Sequence, residues 1–190
     1  KHELAEWALP YLGDTQLRLG KQEAAAVSFQ KSLAQFPQGR LADDSKFGLG
    51  RAYESQKKTD EAIAIYRQLA SDRTGARAAQ AQLNLAACYF DSARYPDAAK
   101  EYERLIADFP DSPLVALAQL NGGYSNYQIG DFRKAIAQFE LAGKEPKQAA
   151  TAGYWRGVSF KSLREFDNAA GALKSVFESD PKGTMAENAL

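Results

Sequence analysis

Residue types able to do acid–base, nucleophilic or metal chemistry are sparse in this chain. There is one histidine, His2, near the start, and one cysteine, Cys88. A Ser-His-Asp or Cys-His arrangement needs an imidazole held within reach of its nucleophile, and a histidine at a fraying end is badly placed for that. Histidine–cysteine metal sites need clusters that this chain does not have. No D-x-D-x-D-G loop offers carboxylates to calcium. Cys88 has no neighbouring His or Lys to lower its pKa, so it reads as a small buried apolar residue. Gly48-x-Gly50, within FGLGRAYE, lacks the third glycine and the preceding strand of a nucleotide loop. Asp43-Asp44 and Asp111-Ser112 read as helix caps or first-turn acids, with Pro113 at a first helical position. No catalytic, metal or cofactor site is therefore expected, and the chain is read as non-enzymatic.

The bulk numbers narrow the partners. Lys plus Arg is 24 and Asp plus Glu is 24, so the formal charge is zero and nothing favours nucleic acid or an anionic surface. A 45% hydrophobic, 25% charged chain folds rather than staying disordered. With a single cysteine, the fold must hold by burial without an internal disulfide. No stretch approaches the roughly 20 apolar residues needed to cross a bilayer, so no direct membrane insertion is expected. The chain starts at Lys1 and ends within an apolar helical pattern, MAENAL, which suggests a fragment of a longer protein.

The elements come in a repeating pair. An alanine precedes an aromatic by four residues at Ala25…Phe29, Ala62…Tyr66, Ala98…Tyr102 and Ala135…Phe139, and Ala169 has Leu173 in that slot. Successive anchors lie 37, 36, 37 and 34 residues apart. Twelve residues before each anchor stands a tiny residue: Gly13, Gly50, Ala86, Gly123 and Gly157. Twelve after it stands Pro37, Pro110 or Pro181, with Thr74 in the second unit and Pro146 one place early in the fourth. Apolar residues recur every three and four positions, as in DAAKEYERLIADF, which predicts helices and no strands. Short breaks (LGKQ, QKKT, SARYP, IGDF, LREF) divide each unit into two helices. The tiny residue lets the second helix come close, and the aromatic fills the volume beside that contact. Proline then ends the unit. One hairpin cannot bury its apolar face alone, but five stacked hairpins can.

These residues resemble the tetratricopeptide repeat, with Leu12-Gly13, Leu49-Gly50…Tyr53 and Leu85-Ala86…Tyr89 ahead of the alanine, aromatic and proline positions. The resemblance implies an all-α, right-handed α-α superhelix of five helix-turn-helix repeats, at about 4–39, 40–76, 77–112, 113–147 and 148–181. Residues 182–190 would begin a further helix, and 1–190 would form a single domain. The family period is about 34. The longer connections here, such as FPDSPLVALAQ, are similar to repeats of bacterial cell-envelope proteins, Tol-Pal-associated periplasmic proteins and the outer-membrane assembly lipoprotein among them. That implies a periplasmic or outer-membrane-associated location.

In this family the second, fifth, ninth and twelfth residues of each unit tend to face a concave groove. Carried across, and with the neighbouring asparagines, they give the expected partner-binding residues Phe47, Arg51, Asn84, Phe90, Asn121, Tyr124, Tyr127, Tyr154 and Lys161. The Lys and Asn that clamp a C-terminal carboxylate in chaperone-binding members are missing: the positions hold Phe47 and Arg51, then Leu83 and Ala87. The resemblance thus implies a scaffold for a peptide or protein partner. A spacer that associates end to end is the alternative reading, and the aromatics could equally pack between neighbouring first helices.

Overall fold

The computed structural model describes residues 2–179, 181 and 184–185. Among these the chain forms ten helices and no strand: α1 (His2–Arg18), α2 (Gln22–Gln35), α3 (Ala42–Ser55), α4 (Thr59–Ser71), α5 (Ala78–Asp91), α6 (Tyr95–Asp108), α7 (Val115–Ile129), α8 (Phe132–Ala142), α9 (Ala149–Ser162) and α10 (Phe166–Ser179). In the expected register α1 pairs with α2, α3 with α4, α7 with α8 and α9 with α10. The expected helix at 182–190 lies outside the described residues except for Thr184 and Met185, which are helical. The helices gather into two compact units, Lys1–Ser92 with α1–α5 and Ala93–Leu190 with α6–α10. Within each unit every helix packs on the next in sequence, and α1 also touches α3.

The tiny residue and the aromatic meet directly. A Cβ on Gly13 would lie 2.7 Å from the Phe29 ring, on Gly50 2.6 Å from Tyr66, on Gly123 2.6 Å from Phe139, and on Gly157 2.7 Å from Leu173. No real Cβ tolerates such distances, so glycine is required wherever the ring lies flat on the helix. Phe29 is also covered by Gly48 of the next repeat. Each of these rings is nearly sealed: Phe29 is 3% exposed, Tyr66 0% and Phe139 1%. Burial of one such side chain stabilises by about 1.5–3 kcal/mol.

Each hairpin turn carries one residue with left-handed backbone, seven positions after the tiny residue: Gly20 (φ 70), Lys57 (φ 60), Ala93 (φ 56), Gly130 (φ 88) and Arg164 (φ 61). At Gly130, which caps α7, that conformation lets the chain turn directly into α8. Between hairpins the chain makes two successive turns. Gly39 N–H donates to Phe36 C=O at 3.1 Å and Ala42 N–H to Gly39 C=O at 3.0 Å. The pattern recurs at Asp72–Gly75–Ala78 and at Phe109–Ser112–Val115. These double turns move the helix starts downstream of the expected caps. Asp43 and Asp44 do lie in the first turn of α3. Asp111 and Pro113 instead precede α7, whose N-cap is Leu114, and the Ser112 hydroxyl accepts from Leu114 N–H at 3.3 Å.

Candidate functional site

In the first unit, α1 and α3 flank a cavity of about 360 Å³ lined by Tyr11, Asp14, Phe47, Arg51 and, from the start of α5, Arg77. Asp14 and Arg51 occupy the same position of consecutive repeats, which brings Arg51 Nη1 within 3.8 Å of the Asp14 carboxylate. Arg18, one turn on from Asp14, donates to its other oxygen at 2.8 Å. Arg77 grips Asp44 with Nε at 2.7 Å and Nη2 at 2.5 Å, and lies over the Phe47 ring at 5.4 Å. Phe47 in turn packs on Tyr66 at 5.6 Å. Phe47 is therefore half-buried, packed on Tyr66 of its own repeat and covered by Arg77 of the next.

Below this groove lies a polar node built by three helices. Glu54 of α3 accepts from the Tyr66 hydroxyl of α4 and from the Cys88 thiol of α5 at 3.6 Å. Asn84 of α5 donates to Tyr66 Oη at 3.2 Å and accepts from Gln80 Nε2 at 3.1 Å. Burial raises the Glu54 pKa above the usual carboxylate range; its hydrogen bonds and the Arg51 charge oppose the rise without cancelling it. Burial, with Glu54 beside it, pushes the Cys88 thiol up to about 12, so it stays protonated. Asn84 is thus bonded within the chain at both ends of its amide. Phe90 is half-buried near the end of the same helix.

In the second unit the expected residues do gather. Trp155 of α9 is the hub. Its ring centroid lies 5.2 Å from Tyr124, 5.4 Å from Tyr127 and 5.8 Å from Tyr154, each ring edge-on. Tyr124 also packs on Phe139 at 5.4 Å, and burial moves its phenol up to about 12. Tyr127 lies 5.3 Å from Phe132, and its hydroxyl is 3.4 Å from Ser162 Oγ. All four rings of the cluster remain half-buried. Asn121 is half-buried on α7, and Lys161 is exposed in the last turn of α9. Sequence reasoning left out the pairing partners Asp14, Arg18 and Arg77. Asp14 was within its reach, since it shares the repeat position of Arg51. Arg77 was not, because it precedes its helix.

Among the described residues no group of three or more His, Cys, Asp or Glu is placed to hold a metal, and no helix is long and apolar enough to cross a membrane. The paired helices, the glycine-on-ring packing and the face of first-helix side chains define an α-helical repeat solenoid. The tetratricopeptide repeat profile matches residues 11–77, 47–113 and 120–184, and the chain belongs to that family. Solved structures share the fold. A tetratricopeptide repeat protein from Parabacteroides merdae ATCC 43184 has a TM-score of 0.81 at 17% identity, covering 98% of this chain and 71% of that one. MamA gives 0.79 at 21% identity over 93% and 92% of the two chains. YrrB, described as a TPR protein with an unusual peptide-binding site, gives 0.74 at 18% identity over 99% and 94%. No curated protein matches the sequence.

Proposed function

We propose that this chain is a non-catalytic scaffold that holds a peptide or protein partner against its first helices, within a bacterial envelope complex. The observation that carries the binding reading is the Trp155 hub, with three tyrosines around it and every ring half-open. Tyr and Trp supply large contact area at low entropic cost and dominate interface energetics. Four of them on two consecutive first helices exceed what the core of one hairpin needs. The peptide site of YrrB, on the same fold, agrees with this reading. The envelope assignment rests on the long connections between hairpins.

Peptides selected from a random library on the parent protein test it. Tyr127→Ala combined with Tyr154→Ala is expected to weaken their binding at least tenfold while circular dichroism is unchanged. Equal affinity for parent and variant removes this face from consideration. Subcellular fractionation of the native host tests compartment, and recovery with the cytosol would end the envelope reading.

Self-association is favoured by one feature of α1. Leu4 is 80% exposed and Tyr11 61%, and Tyr11 stacks on Trp7 at 6.0 Å. Sedimentation at two concentrations decides it, with Tyr11→Ser expected to shift any dimer toward monomer.

A further inference from the structure

The seventh residue of the repeat unit is a buried leucine in the second and third repeats, Leu49 at 5% exposed and Leu85 at 0%; the first has Leu12, 47% exposed, and the fourth Gly122. In the fifth repeat that position holds Arg156, immediately before the packing glycine Gly157. The Arg156 Nε is shut off from solvent and has no hydrogen-bond partner. Arg156 as a whole is half-buried, but a donor left unused on it still costs folding free energy. The surroundings suggest why it is kept. Arg156 faces a cavity of about 410 Å³ between α8, α9 and α10. The floor is apolar: Phe139 is 1% exposed, Ala172 5% and Val176 5%. Lys144, Glu140 and Ser175 stand at the rim, so two cations face one anion. Gly153, one turn before Arg156, lets Val176 of the floor close onto α9; a Cβ there would lie 2.6 Å from Val176 Cγ2.

A guanidinium presents Nε and one Nη as a fork that fits carboxylate and phosphate oxygens side-on. A cavity in the range of roughly 300–1,000 Å³ suits a small molecule rather than a bare ion. We propose that this pocket binds a small organic oxyanion, a carboxylate or a phosphate ester. Its charged end forks onto Arg156, and its carbon body lies on the Phe139–Ala172–Val176 floor. This site is separate from the aromatic face proposed for the partner and stands without it.

Thermal shift and titration calorimetry at constant ionic strength, with succinate, glycerol 3-phosphate and inorganic phosphate, test the assignment. The parent is expected to show a saturable rise in Tm with at least one organic anion, larger than with inorganic phosphate. Response to succinate alone fixes a carboxylate ligand; response to glycerol 3-phosphate alone fixes a phosphate ester. Arg156→Leu, which supplies the residue found in the first three repeats, is expected to fold with a higher Tm and to lose the response. Arg156→Lys keeps the charge without the fork and is expected to bind at least tenfold more weakly. No saturable response in the parent, or an undiminished one in Arg156→Leu, overturns the proposal.

Discussion

At the scale of single residues, glycine and aromatic act as one object. Gly50 has no freedom of choice, because any Cβ there enters the Tyr66 ring at 2.6 Å. Alanine is the better helix former by about 0.5–1 kcal/mol, yet overpacking costs about 1–3 kcal/mol. Gly50→Ala is therefore expected to destabilise by roughly 1–2 kcal/mol net in urea unfolding. A gain in stability would mean that Tyr66 can move aside, and it is 0% exposed. Glu54 makes the opposite kind of compromise. Burial raises its pKa in the folded state, so the folded protein binds the proton more tightly than the unfolded chain. The stability linked to that proton is fully present below the ordinary glutamate value of about 4.3. It is lost as pH rises through the folded value. Glu54→Gln removes this loss while keeping an acceptor for Tyr66. The variant is expected to be more stable than the parent near pH 7, with the difference closing toward pH 4. Urea midpoints across that range measure it, and a constant difference would show that the Glu54 carboxyl does not titrate against folding.

At the scale of elements, the helices owe their existence to periodicity and their placement to turns. The repeated helix pairs were legible because Ala, aromatic and tiny residue recur in a common frame, and in four of the five units that recurrence answers a direct packing contact. The left-handed turn residue was not legible. Two of the five are glycine, but Lys57, Ala93 and Arg164 carry no local signal for positive φ. At these three positions the backbone goes against the preference of the residue. Such a conformation costs an L-residue about 1–2 kcal/mol, part of which glycine returns through unfolded-state entropy. Ala93→Gly is thus expected to stabilise by about 0.5–1 kcal/mol, read as a higher urea midpoint at unchanged slope. The candidate site was legible to the same degree. Tyr124 and Tyr127 share a face by their spacing of three, and Tyr154 and Trp155 follow in the next unit's register. The charge pairs were less so, because Asp14–Arg51 and Asp44–Arg77 join residues more than thirty positions apart. Arg156 stood in plain view as the one charged residue at its repeat position, but only the cavity beside it gives that charge a meaning.

At the scale of the whole molecule, the contacts within each unit run mainly between sequence neighbours, so stability is expected to be a sum of local pairs and interfaces rather than one cooperative core. A lesion should then be felt nearby and fade along the chain. Tyr66 offers the sharpest test. It fills the Gly50 contact, packs on Phe47 and bonds to both Glu54 and Asn84, joining α3, α4 and α5. Its truncation opens a cavity worth about 3–5 kcal/mol and leaves two polar groups short of a partner. In a single-core domain that loss would lower protection everywhere by the same amount. Here Tyr66→Ala is expected to speed amide exchange strongly in α3–α5. The effect should be smaller in α1 and α2, and protection in α7–α10 should stay near the parent's. Peptide-resolved hydrogen exchange separates the two behaviours. A uniform loss across all ten helices would mean that the hairpins fold as one unit, and that reading the chain repeat by repeat is wrong.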